Sequence, residues 1–91
     1  MKINWDPDKA RKNLVKHNVA FEEASTVFGD PLSLTISDTI HSDREERFLT
    51  MGATSKFKLV VVAHTDQNEL IRIISAREAT GKEREKYEDG I

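Results

Sequence analysis

The stretch LIRIISAREATGKEREKYE, residues 70–88, begins as an apolar strand and ends as a charged helix, and it carries Arg72, Arg77, Arg84 and Tyr87. A guanidinium in a strand is costly unless it is paired or faces an anion. Strand alternation sets Ile71, Ile73 and Ser75 on one side and Arg72, Ile74 and Ala76 on the other, with Arg77 at the strand end. A helix N-terminus follows, and it favours anions too. Two arginines placed this way fit a phosphate site. The alternative is ion pairing with acids such as Glu45, Glu46 or Glu78.

A second group lies in the polar stretch SDTIHSDREER. On an extended chain Glu45 and Arg47 share a side, either as a salt bridge holding the loop or as a proton acceptor beside an anion clamp. His17 and His41 are the side chains able to exchange a proton near neutrality, although His17, ending a helix, also suits a capping role. His41 with Glu45 is a lone i, i+4 pair, too little for a metal site, and His64 at the end of an apolar run reads as structural. Trp5 reads as core. Tyr87 either stacks a base or covers the sheet edge.

These side chains need a scaffold. KINW reads as a first strand, and Asp6-Pro7 opens a helix from Pro7 to His17, because Asp caps free N–H groups and Pro suits the first helical position. Ala10 and Leu14 mark its inner face, Lys9, Lys12 and Lys16 share another, and Asn18 is a left-handed stop. Phe21, Ala24 and Phe28 define a short second helix ended by Gly29. LSLTI, RFLTMG, FKLVVVAH and ELIRIISA follow as strands, with Leu32, Leu34 and Ile36 on one face of the first and turns at ATSK and TDQN. Thr80 and Glu83 form a capping box opening a last helix through Tyr87. The order β-α-α-β-β-β-β-α predicts an α+β domain spanning residues 1–91, with helices on one face of a largely antiparallel sheet and the other face free for a ligand.

Composition excludes several classes. The 91 residues contain no cysteine, so neither a disulfide framework nor a thiolate nucleophile exists. No apolar run approaches the roughly 20 residues that span a bilayer, and the N-terminal residues lack a signal peptide's apolar segment, so a cytoplasmic protein without membrane contact is expected. There is no P-loop, no Gly-x-Gly-x-x-Gly, no nucleophile elbow and no zinc-ligand spacing, so neither metal nor cofactor is expected. The net charge of −2 is unevenly spread: residues 1–17 carry five Lys/Arg against two Asp, residues 18–55 two Arg against seven acids, and residues 56–91 seven of each sign. The basic end suits phosphate, and the acidic middle suits a basic partner.

WDPDKARKNLVKHNVAFEEA, FGDP, HSDREERF and IRIISAREATGKEREKYE, taken together and in order, resemble the BrnT family, the toxin halves of bacterial toxin–antitoxin pairs. The resemblance covers nearly the whole chain. It implies a RelE-like ribonuclease that cleaves RNA, inhibits translation and is silenced by a cognate ribbon-helix-helix antitoxin of the BrnA kind, through which alone DNA is contacted. It implies Arg47, Arg72 and Arg77 for phosphate and His17 for proton transfer, with Glu45 and Tyr87 second, while the Lys9, Lys12 and Lys16 face of the basic end is expected to bind RNA. The expected chemistry is metal-independent attack of a 2′-hydroxyl on the adjoining phosphate. The acidic balance departs from the basic character of RelE-like toxins, and a non-catalytic binding module, or a degenerate toxin acting only in a repressor complex, is the alternative.

Overall fold

Strand β1 (Lys2–Trp5) leads through Asp6 into helix α1 (Pro7–His17), where the Asp6 carboxylate accepts a hydrogen bond from Asp8 N and Pro7 begins the helix. Asn18 ends it at φ 57°, the left-handed stop that the sequence predicts. Helix α2 (Phe21–Ala24) tightens into a 3-10 turn over Ser25–Gly29. Four strands follow: β2 (Leu34–Ser37), β3 (Phe48–Ala53), β4 (Leu59–Gln67) and β5 (Leu70–Glu78). Helix α3 (Gly81–Glu88) opens on the Thr80–Glu83 capping box. This computed structural model describes residues 1–90. Among them no helix is long and apolar enough to cross a membrane.

The five strands form one mixed sheet in the order β1-β5-β4-β3-β2, antiparallel except where β1 runs parallel to β5. Val60 and Val62 alternate with Leu59 and Val61 along β4, so the sheet is buried on both faces. On the first face Val60, Val62, Ile73 and Ala76 pack with Val19, Phe21, Ala24 and Val27, and Trp5 meets Phe21 edge to face. On the second, Met51, Leu59 and Val61 pack with Leu34, Leu49, Ala79 and Tyr87.

The α+β class and the element order therefore hold. Helix placement differs in one respect: α1 and α2 lie on the first face, whereas Tyr87 brings α3 onto the second. The reason is a bidentate ion pair, Arg77 Nη1 and Nη2 donating to Glu83 at 2.8 and 3.0 Å, which ties α3 to β5. Only part of the second face stays open.

Three local readings also change. Ala63 pairs with Ser75 but His64 with Ile73, so Ile74 is an extra residue, a bulge, and Ala76 turns to the same face as Ile73 rather than the face of Arg72. The apolar run expected to start β4 at Phe57 begins two residues later, and Phe57 sits in the preceding turn, 91% exposed. On α1 the buried residue is Asn13, while Leu14 is 46% exposed. Asn13 Nδ2 donates to Ala76 O (2.8 Å) and Val19 O (3.0 Å), and Ala76 N donates to Asn13 Oδ1 (3.0 Å). That clamp fixes α1 on β5.

Candidate active site

The polar stretch between β2 and β3 folds into a closed loop. Asp38 N donates to Arg47 O (2.8 Å), Ser42 Oγ to Asp38 O (2.5 Å) and Arg47 N to Ser42 Oγ (3.0 Å). Closure gathers His41, Asp43, Arg44, Glu45 and Arg47 around one pocket. His41 Nδ1 lies 3.1 Å from an Asp38 oxygen. A protonated Nδ1 donating to that carboxylate leaves Nε2 for chemistry in the pocket. Arg47 Nε is buried with no hydrogen-bond partner, and an unsatisfied buried donor costs about 1–3 kcal/mol until an acceptor reaches it.

β3 continues the line of cations onto the second face. Phe48 pairs with His64, so extending that register by one residue sets Arg47 level with Thr65, whose partner on β5 is Arg72 and beyond it Asn4 on β1. Arg47 and Arg72 thus stand on either side of β4, about 10 Å apart. At the β1 edge Arg72 and Lys9 line a second pocket with Asn4, Trp5 and Asp6. Lys12 lies on a different part of α1, with Arg11 and Val15. Lys16 is exposed in the helix's last turn.

The remaining candidates lie elsewhere. Arg77 pairs with Val61, four β4 residues or about 13 Å from Thr65, and its guanidinium is held by Glu83. The hydrogen bond between them comes first among the causes that raise the Arg77 pKa, and it holds the Glu83 carboxyl down at about 2. Tyr87 Oη donates to Asp30 Oδ2 at 2.5 Å, a bond that raises the Tyr87 pKa. Burial pushes the Asp30 carboxyl up, but donors from Ala53, Tyr87 and Leu32 together outweigh it and leave its pKa lowered. His17 ends α1, which packs on the first face, so the sheet separates it from Arg72 and Arg47. Of the proposed set, the structure brings Glu45 with Arg47, and Arg72 with Lys9. It does not bring His17, Arg77 or Tyr87 to either pair.

His64 is 2% exposed, enclosed by Phe28 and Phe48, with Nε2 2.7 Å from Thr50 Oγ1; burial lowers its pKa. Among the described residues no three His, Asp or Glu side chains converge as a metal-binding group. Sequence reasoning missed Asp38, although its i, i+3 spacing to His41 was a readable signal. It also missed Asn4, which only the parallel β1–β5 pairing places beside Arg72.

The family model described as "Ribonuclease toxin, BrnT, of type II toxin-antitoxin system" matches residues 5–83. Among solved structures, the crystal structure of the Brucella abortus ribonuclease toxin BrnT is similar with a TM-score of 0.64 at 23% identity, covering 88% of this chain and 97% of that one. That likeness supports the fold. No curated protein gives a significant match.

Proposed function

The chain belongs to the BrnT family of ribonuclease toxins of type II toxin–antitoxin systems, and from that premise we propose that it cuts RNA at the pocket of the β2–β3 loop by metal-independent internal transfer. The observation that carries this reading is the meeting of a carboxylate, an Asp-held imidazole and two guanidiniums around one pocket. Glu45 takes the proton of a ribose 2′-hydroxyl. The 2′-oxygen attacks the adjoining phosphorus, the bond to the 5′-oxygen breaks, and the His41 imidazolium, oriented by Asp38, gives that oxygen its proton. Arg47 and Arg44 stabilise the charge that develops on the phosphoryl oxygens. Arg72 and Lys9 hold a neighbouring phosphate, with Lys12 and Lys16 further along α1.

Cleavage of RNA in this way inhibits translation, and a ribbon-helix-helix antitoxin restrains the toxin and carries the DNA contacts. Incubating purified wild type and variants with total RNA in chelator tests the assignment. Arg47→Ala and His41→Ala are expected to lower cleavage by about 100-fold or more, from the loss of charge stabilisation and of general acid catalysis. His17→Ala is expected to retain it. Full activity in both pocket variants with loss in His17→Ala would move the chemistry across the sheet to α1.

A further inference from the structure

We propose that the β3–β4 turn is a second RNA contact, in which Phe57 stacks on an unpaired base while Lys56 and Lys58 hold the flanking phosphates. The proposal rests on the ribonuclease reading and extends it to a surface that the loop pocket does not reach. Thr54 N donates to Lys58 O and Phe57 N to Thr54 O, both at 2.8 Å, which defines a three-residue hairpin loop ending in a left-handed residue. Glycine is the usual occupant of that position, yet here Phe57 adopts φ 66°. It is 91% exposed, so no burial offsets the strain.

The turn is also held rigid. Thr54 is buried, its Oγ1 donates to Glu23 Oε2 (2.9 Å) and accepts from Lys56 N and Lys58 N (3.2 Å each), and Ser55 N donates to Thr26 Oγ1 (2.8 Å). An exposed aromatic ring carried on a hydrogen-bonded turn between two exposed lysines is a stacking platform with phosphate contacts on either side. A protein interface would require a contiguous apolar core, whereas other exposed apolar side chains, including Val15, Ile36 and Ile40, lie on other elements. The turn and the loop pocket sit at opposite ends of β3, about 20 Å apart, so a strand of several nucleotides joins them and a dinucleotide does not.

The test uses a fluorescein-labelled 2′-deoxy oligonucleotide of about 12 nucleotides, which can bind but lacks the attacking hydroxyl. Phe57→Gly suits the left-handed backbone, so its melting temperature is expected to match or exceed that of wild type, while its Kd weakens about 5- to 100-fold. Phe57→Trp restores binding, dinucleotide cleavage is unchanged in Phe57→Gly, and Lys56→Ala and Lys58→Ala each lower the salt slope by roughly 0.7. Wild-type affinity in Phe57→Gly overturns the proposal and leaves the loop pocket untouched. Loss of antitoxin binding with oligonucleotide binding intact overturns it in favour of a protein contact. A wild type that neither binds nor cuts RNA removes the ribonuclease reading, and this contact with it.

Discussion

At the residue scale, Arg77 shows how a sequence signal can be sound in type and open in role. A guanidinium on β5 needs an anion, and the structure supplies Glu83 from the next helix. That carboxylate was already legible as half of a capping box, but nothing in a one-dimensional pattern says that it can cap Thr80 N and bind Arg77 at once. The depressed Glu83 pKa, about 2 against an ordinary 4.5, fixes the sign of its pH dependence. The stability it contributes is present above pH 4.5 and is lost as pH falls toward 2. With 41% and 30% side-chain exposure for Arg77 and Glu83, screening holds the contribution to about 1 kcal/mol or less. Glu83→Gln should therefore melt slightly below wild type at pH 7, with the gap closing between pH 4.5 and 2, and thermal scans across that range check it. Arg77→Ala should likewise loosen α3, while RNA cleavage at the loop pocket persists.

At the element scale, the boundaries written in local chemistry were readable: Asp6-Pro7 opens α1, Asn18 closes it, and Thr80 with Glu83 opens α3. What escaped depends on contacts distant in sequence. Asn13 resembles any polar helix residue until β5 arrives 63 positions later and takes three hydrogen-bonding groups into one clamp with Val19 and Ala76. The Ile74 bulge is likewise a product of pairing, since nothing in LIRIISA marks which residue the ladder will skip. Asn13→Ala leaves buried backbone groups of Ala76 and Val19 unpaired and should cost about 3 kcal/mol, read as a lower denaturant midpoint with the slope unchanged. Thr80→Ala removes one cap and should cost about 1 kcal/mol. The loop pocket was half legible: Glu45 and Arg47 share a side in the sequence, but closure through Asp38 and Ser42 is what sets His41 beside them.

At the scale of the whole molecule, charge is arranged by segment, with a net negative charge over residues 18–55, where cations are few, and a net positive charge over residues 1–17. A basic antitoxin steered to the acidic segment would meet Asp43 at the pocket itself, so docking there would also block RNA. Asp43→Lys with Glu46→Lys should slow association and flatten its dependence on ionic strength, whereas substitutions at Lys9, Lys12 and Lys16 should weaken RNA binding more than antitoxin binding. Stopped-flow association rates at several salt concentrations distinguish these outcomes. In the proposed mechanism a carboxylate, an Asp-held imidazole and guanidiniums move the proton and stabilise the phosphoryl charge without a metal. The ends of the cut RNA report it most directly. Purified chain incubated with RNA in excess chelator should leave a 2′,3′-cyclic phosphate on one product and a 5′-hydroxyl on the other, whereas products bearing a 5′-phosphate, or cutting that resumes only when a divalent ion is restored, would contradict it.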